Sequence, residues 1–286
     1  MPDFVAAILT HGRADNVKTI RALREAGYTG DIAIVIDSHD KQANAYKNKF
    51  GSAVWQFDKD EWASKVDDGD NTGDYRAVVY ARNASTEIAG QRGYQWIWQL
   101  DDDYTAFHYK TDDALRYATS KIKNLDAVLA AFVEYAANAN IACFAFSQEG
   151  DHIGGPNSIY NKTIRAKRKA MNSMLIRTDA PVSYVGKVNE DATMATLESL
   201  RGRIVMTYMP LSLSQTMTQQ NPGGLTDIYL DQGTYLKSFY SVMYAPSAVK
   251  VKNMVVGEKR LHHIVDYEKC CPCIIRQEHR KPRPSK

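Results

Sequence analysis

Hydrophobic and polar positions alternate in blocks through the first hundred residues. Phe4 to Thr10 is an apolar run that predicts a buried strand. From Ala14 to Ala26 the apolar positions Val17, Ile20, Leu23 and Ala26 have helical spacing, and Gly27 stops the helix. Asp31 to Asp37 predicts a second strand that ends in a carboxylate. Asp40 to Phe50 reads as helix and Ser52 to Phe57 as a third strand. Residues 58–74 are acidic and poor in apolar positions, with Gly69 and Gly73, so they predict a mobile loop. Tyr75 to Gly90 predicts a helix, and Tyr94 to Leu100 a strongly apolar fourth strand. Such alternation is the mark of an α/β layer with a mostly parallel sheet.

The pattern loosens afterwards. Strands are predicted at Tyr104 to Tyr109, Ile141 to Phe146, Met171 to Ile176, Ile204 to Tyr208 and Val249 to Val255. Helices are predicted at Leu125 to Ala139, over 190–201 and at Thr226 to Phe239. Ser147 to Asn161 and Asn221-Pro-Gly-Gly224 read as loops. No internal repeat or clear linker divides the chain, so one domain over 1–268 is expected. It has halves at 1–105 and 106–268, and a basic tail follows at 269–286.

Composition adds four constraints. With 286 residues, 44% hydrophobic and 24% charged, the chain can bury a sizeable core. No apolar stretch reaches the length of a membrane span, and a strand begins too early for a signal peptide. The four cysteines, Cys143, Cys270, Cys271 and Cys273, are too unevenly placed for a disulfide framework. A reducing, cytoplasmic setting is therefore expected. Net charge is only +3 but is unevenly spread. Lys162, Arg165, Lys167, Arg168 and Lys169 form a cluster without an acid, and the tail is also basic. An anionic partner would suit such patches, although a solvated surface is the plainer alternative.

The candidate chemistry centres on Asp101-Asp102-Asp103, directly after the fourth strand. Three adjacent carboxylates repel one another. In an extended segment Asp101 and Asp103 can face one way while Asp102 turns aside. Hard oxygen ligands suit Mg²⁺ or Mn²⁺, which commonly binds carboxylates together with substrate phosphates. A solvated acidic turn is the competing reading, but ligand sites in α/β sheets lie at the carboxyl ends of strands. Thr10-His11-Gly12-Arg13 follows the first strand, where Gly12 permits close backbone approach and Arg13 can meet phosphate or a base. Asp37 at the second strand end can accept from ribose hydroxyls. On the helix before the triplet, Arg76 and Asn83 are seven apart and share a face, with Arg82 nearby. Arg82 can approach a diphosphate beside the metal, or pair with Glu87 at the surface.

This ordered set resembles the nucleotide-sugar glycosyltransferases of the GT-A fold, over roughly residues 4–105. The resemblance implies a GT-A-like, Rossmann-type mixed sheet flanked by helices, with a nucleotide-binding half and an acceptor half. It implies Asp101 and Asp103 as ligands of Mn²⁺ or Mg²⁺ and Asp102 beside them in the nucleotide-sugar site. It further implies Asp37 near the ribose and Thr10, His11 and Arg13 in the nucleotide loop, with Arg76, Arg82 and Asn83 on the donor side. Ala81-Arg-Asn83, Leu100-Asp-Asp-Asp103 and Glu190-Asp191 together are similar to phage and kinetoplastid-type enzymes that glycosylate hydroxymethylated pyrimidines in DNA.

In the second half, Asn189-Glu190-Asp191 opens a helix. Carboxylates there complement the helix dipole. The GT-A likeness also suggests a general base for the acceptor hydroxyl, Asp191 ahead of Glu190. Asn157, after Gly154-Gly155, lies in a loop that can line the acceptor side. His263, or its neighbour His262, is a candidate further metal ligand by the same likeness. Cys270, Cys271 and Cys273 with His279 match no standard zinc spacing.

The expected function is transfer of a sugar from a UDP-sugar to 5-hydroxymethylcytosine or 5-hydroxymethyluracil in double-stranded DNA, with Arg165, Lys167, Arg168 and Lys169 contacting phosphates. Alternatives are transfer to polysaccharide, protein or lipid, a nucleotidyltransferase, and a non-catalytic nucleic-acid-binding module. The nucleotidyltransferase reading wants a Gly-rich first loop, where only Gly12 is present.

Overall fold

The computed structural model describes residues 3–70, 73, 75–158, 170–216, 238–256 and 258–270. Its frame is one nine-stranded sheet in the order β3-β2-β1-β4-β8-β7-β9-β5-β6. The first half supplies β1 (Phe4–Leu9), β2 (Asp31–Asp37), β3 (Val54–Phe57) and β4 (Trp96–Asp101). These four are parallel to one another. The second half supplies β5 (Tyr104–Thr111), β6 (Tyr117–Lys121), β7 (Ile141–Gln148), β8 (Ser173–Arg177) and β9 (Ile204–Gln215). Here only β7 and β9 are parallel, and the remaining pairings are antiparallel. The expectation of a mostly parallel sheet therefore holds for the first half alone. Only that half has the regular strand-helix repeats that parallel crossovers require.

Helices cover both faces. They are α1 (Lys18–Glu25), α2 (Ala43–Phe50), α3 (Lys59–Lys65), α4 (Val79–Gln91), α5 (Leu125–Asn138) and α6 (Glu190–Leu200). One face buries Trp98, Phe107, Phe132, Phe144 and Phe146, with Phe132 stacked on Phe144 at 3.7 Å. The other buries Ile97, Met174, Ile176 and Val205 under Tyr80, Ala84 and Met194 of α4 and α6. Alternate residues of β4 thus serve two cores, which is why Trp96, Ile97, Trp98 and Leu100 are all apolar.

Several expectations need correction. The acidic segment is not a loose loop over its described part. Asp58 caps α3 by accepting from the Asp60 and Glu61 amides at 3.0 and 3.1 Å. Beyond it, the carbonyls of Asp67 and Asp68 accept from the Gly186 and Lys187 amides at 2.9 Å each. Lys187 Nζ lies 2.7 Å from Asp70, and the hydroxyls of Tyr80 and Tyr240 donate to Asp68 and Asp70 at 2.7 and 2.6 Å. Lys187 and Tyr240, more than a hundred residues away, engage this acid, so local composition misread it. The helix expected from Tyr75 begins at Val79, which leaves Arg76 exposed before it and removes the shared helical face with Asn83. Strand β9 runs on to Gln215, seven residues past its expected end at Tyr208, and β6 was not foreseen. The final strand expected at Val249 becomes a separate hairpin of β10 (Val249–Val256) and β11 (Glu258–Val265). The loop at 221–224, most of the helix expected at Thr226 to Phe239, and Cys271, Cys273 and His279 lie outside the described residues. No helix among the described residues is long and apolar enough to cross a membrane.

Candidate active site

The Asp triplet sits where the sequence puts it, at the carboxyl end of β4 in the middle of the sheet. Its backbone is held by α1. Thr19 Oγ1 donates to the Asp101 carbonyl at 2.6 Å and accepts from the Tyr104 amide at 3.0 Å. The Thr19 amide donates to the Asp102 carbonyl at 3.2 Å. Thr19 was missed by sequence analysis, yet a signal existed. It stands three and four residues before Ala22 and Leu23 on the buried face of α1, where a polar residue needs a reason.

The three carboxylates have different surroundings. Asp102 is buried and turned back toward β1. Its Oδ2 accepts from Thr10 Oγ1 at 2.6 Å and its Oδ1 from Arg13 Nη1 at 2.9 Å. Both oxygens are thus spent on shaping the 10–13 loop. Asp101 meets Arg82 Nη2 at 3.3 Å but keeps 31% of its side chain exposed. Burial pushes its carboxyl up to about 7, with Asp103, Asp102 and Glu190 adding to the rise and Arg82 opposing it. Asp103 is likewise raised, by burial and then by Asp102. Negative charge is therefore crowded at Asp101 and Asp103 beyond what nearby cations relieve, and both offer hard oxygen donors. That chemistry fits a divalent cation. Among the described residues no group of three or more His, Cys, Asp or Glu side chains converges as a metal-binding set. His263 lies buried on β11, in the hairpin rather than in the main sheet.

Arg82 is the link between the two halves. It is fully buried on α4, with Nε 3.0 Å from Glu190 Oε1 and Nη2 3.3 Å from Asp101. Burial works against its charge, but Asp101 and Glu190 outweigh that and hold the guanidinium protonated. Its Nη1 is buried without a hydrogen-bond partner among the described residues. The helix segment around it is pinned by Gln99 of β4, whose Nε2 donates to the Arg82 carbonyl at 2.6 Å. Tyr184 completes the support by donating to Gln99 Oε1 at 3.0 Å.

The loop after β1 is also fixed by partners that sequence analysis missed. Tyr46 shares a hydrogen bond with Thr10 Oγ1 at 2.9 Å and accepts from the Arg13 amide at 2.8 Å. Gly12 has φ +67°, a conformation that suits glycine, and its amide donates to Asp40 Oδ2 at 2.8 Å. His11 Nδ1 lies 2.8 Å from Asp37 Oδ2, and Lys59 Nζ lies 3.3 Å from the same oxygen. Burial pushes Asp37 upward, but the His11 hydrogen bond and the Lys59 charge prevail and hold it below the usual range. The same hydrogen bond raises His11 against its own burial.

The model of the TET-associated glycosyltransferase family matches residues 5–224. The chain belongs to that family. The match spans the sheet, the triplet and α6. No curated protein sequence matches the chain. Among solved structures, it is similar to S. aureus TarS 1-349 at 12% identity and TM-score 0.43, covering 74% of this chain and 60% of that one. It is similar to glucosyl-3-phosphoglycerate synthase from Mycobacterium tuberculosis, solved with Mg²⁺ and UDP, at 7% identity and TM-score 0.46, covering 92% and 87%. A third likeness is to GalNAc-T7 with UDP, GalNAc and Mn²⁺, at 9% identity and TM-score 0.40, covering 74% and 43%. The chain thus spans less than two thirds of the TarS and GalNAc-T7 chains.

In this TET-associated family member the remaining expected residues divide clearly. Asn83 is a clamp between helix and loop. Its Nδ2 donates to the carbonyls of Val79 and Tyr184 at 2.9 Å each, and its Oδ1 accepts from the Tyr184 amide at 3.1 Å. Arg76 stands exposed ahead of α4. At the start of α6, Asn189 is left-handed with φ 60°, Glu190 is buried against Arg82, and Asp191 is partly exposed. Asp191 Oδ1 accepts from the Ala192 amide at 2.7 Å. Asn157 is exposed in a short 3₁₀ turn after β7. Arg165, Lys167, Arg168 and Lys169 lie outside the described residues.

Proposed function

We propose that this chain is a metal-dependent glycosyltransferase that moves a sugar from a UDP-sugar to a hydroxymethylated pyrimidine in duplex DNA. The observation that carries the reading is the division of labour in the triplet. Asp102 is spent on the β1 loop, while Asp101 and Asp103 remain crowded and accessible at a central strand end. Family membership supports the transfer chemistry, and it is consistent with the likeness to DNA-pyrimidine glycosylating enzymes.

In this reading Asp101 and Asp103 would hold Mn²⁺ or Mg²⁺, which would supply charge to offset that of the leaving diphosphate. Asp37, kept ionised by His11 and Lys59, accepts from ribose hydroxyls. The 10–13 loop borders the nucleotide. Arg82 pairs with Glu190, and Asp191, the more exposed of the two, is placed to take the acceptor proton. Arg82 is a positioning residue here, since its guanidinium is buried.

Incubation with UDP-sugars and Mn²⁺, with and without hydroxymethylated DNA, tests the activity by nucleoside mass analysis. The Asp103→Ala variant should lose transfer while keeping its fold. Equal UDP affinity in EDTA and in Mn²⁺, measured by calorimetry, would remove the metal from the reading. For the acceptor, replacing Arg165, Lys167 and Arg168 with Ala should weaken DNA binding on every sequence. It should also flatten the log-log salt slope by roughly 0.9 for each phosphate no longer neutralised. An unchanged slope and affinity would favour a polysaccharide, protein or lipid acceptor instead.

A further inference from the structure

Beyond the triplet, the carboxyl edge of the sheet carries a second polar group that the mechanism above does not use. Glu149 follows the end of β7, next to the ends of β9 and β5. Ser214 of β9 donates its hydroxyl proton to Glu149 Oε1, and His108 Nδ1 of β5 lies 3.2 Å from the same Ser214 oxygen. A serine hydroxyl has a single proton. With that proton given to Glu149, the contact with His108 must be an N–H donation from Nδ1. This fixes the imidazole tautomer and leaves Nε2 with a lone pair. Burial and then Lys110 lower the His108 pKa, which favours that neutral ring. Glu149 is exposed and forms no ion pair with Lys or Arg among the described residues.

The position relative to the donor site is set by strand register. Thr10, Arg13 and Asp37 lie at the ends of β1 and β2, on one side of β4. Glu149 and Ser214 lie at the ends of β7 and β9, on its other side. Asp103 reaches this side directly, since its carbonyl accepts from the Thr216 amide at 3.2 Å. Ser214 is two residues before Thr216, roughly 7 Å along an extended strand. Nearby polar atoms are also left over. Ser212 Oγ and Gln148 Nε2 are buried on these same strands without partners among the described residues. Asn172 Nδ2, at the start of β8, donates to Gln215 Oε1 at 3.1 Å and closes the edge between Asp101 and β9.

We infer that Glu149, held by Ser214 and His108, is the specificity-determining residue for the acceptor base, accepting a hydrogen bond from an exocyclic amino group beside the hydroxymethyl carbon. The inference rests on the DNA reading above. Glu149 Oε2 and His108 Nε2 are both acceptors, so the subsite matches a donor edge. The 4-amino group of a cytosine is such a donor, and carboxylates recognise it in this way. A uracil presents a carbonyl oxygen there, which two acceptors repel.

The test compares 5-hydroxymethylcytosine and 5-hydroxymethyluracil DNA as acceptors under one UDP-sugar, reading kcat/KM for each. The ratio cancels any loss common to both. The parent should favour the cytosine substrate by at least about tenfold. Glu149→Gln preserves the oxygen that Ser214 needs and supplies an N–H in place of an acceptor. It should cut the ratio roughly tenfold, mainly by raising KM for the cytosine substrate and lowering it for the uracil substrate. Ser214→Ala, which releases Glu149, should narrow the ratio less. An unchanged ratio in Glu149→Gln overturns the inference and leaves the DNA reading standing. Failure of the parent on both DNAs, with transfer to another acceptor, overturns the DNA reading and this inference with it.

Discussion

The two sides of β4 solve opposite problems. On the β1–β2 side nearly every polar side chain is already committed. Thr10, Arg13 and Asp102 bind one another, as do His11, Asp37 and Lys59, and Tyr46 and Asp40 fasten the loop from behind. On the β7–β9 side polar groups are left over, with Ser212 Oγ and Gln148 Nε2 unpartnered among the described residues and Glu149 exposed. A prearranged donor side suits a constant ligand such as a nucleotide, whose binding then costs little reorganisation. An acceptor side with spare hydrogen-bonding capacity suits a ligand that must complete it.

If that contrast is right, variants should separate by what they disturb. The largest effect is expected from Asp191→Asn, which should lower the transfer rate by about 10²–10⁴ and leave UDP affinity near the parent value. Single-turnover kinetics beside calorimetry would check it. Loss of UDP affinity in this variant would show that α6 serves the donor. The same experiment on Glu190→Gln sets the order of the pair. A transfer defect confined to Glu190→Gln would make Glu190 the base.

Arg82 bridges both sides, and its removal should blur the contrast. Arg82→Met leaves Asp101 and Glu190 without their shared cation. Breaking one member of a buried pair typically costs about 3–5 kcal/mol. Urea unfolding at neutral pH should show a loss of that order. The double variant Arg82→Met with Glu190→Gln should recover part of it, because one uncompensated charge is gone. A loss under about 1 kcal/mol in Arg82→Met would mean that the pair contributes little.

This arrangement also shows what the chain discloses on its own. The triplet, the β1 loop and Asp37 were legible because strand ends in an α/β pattern are marked by abrupt changes from apolar to polar residues. The carboxylate start of α6 was legible as a helix beginning. What joins them was not. Arg82 could be read as a surface residue beside Glu87, since its partners Asp101 and Glu190 lie 19 and 108 positions away. Asn83 looked like a ligand and is a clamp on Tyr184, 101 positions distant. The acidic 58–74 segment looked mobile because Lys187, Tyr240 and Tyr244 enter only through the tertiary fold. Part of the β9 extension was within reach, for Leu211-Ser-Leu-Ser-Gln215 alternates as a half-buried strand should.

A smaller effect is expected within the committed side. Thr10→Val keeps the shape of the side chain but removes the hydroxyl that binds Asp102 and Tyr46. A buried carboxylate that loses one partner costs about 1–3 kcal/mol. Part of this should appear as weaker UDP binding, because the 10–13 loop loses its anchor. Transfer from saturating donor should change little. A variant with parent UDP affinity and a large rate defect would contradict the assignment of this loop to the nucleotide.

The smallest effect concerns His11 and Asp37, and its sign follows from the direction of each shift. His11 is raised on folding, so its contribution is complete below the unfolded value near 6.5 and is lost as pH rises through the folded value. Asp37 is lowered, so its contribution is present above the usual carboxylate value near 4 and is lost as pH falls through the folded value. The pair should therefore stabilise most between about pH 4 and 6.5. His11 has a side chain 49% exposed, and solvent screening should hold the contribution to at most about 1 kcal/mol. Thermal melts of the parent and His11→Asn should differ most near pH 6 and converge toward pH 9. Because Lys59 still faces Asp37 in the variant, the carboxylate keeps a cationic partner throughout. A gap that widens with pH would mean that neutral His11 is the stabilising form, acting as a packed ring or an uncharged donor to Asp37.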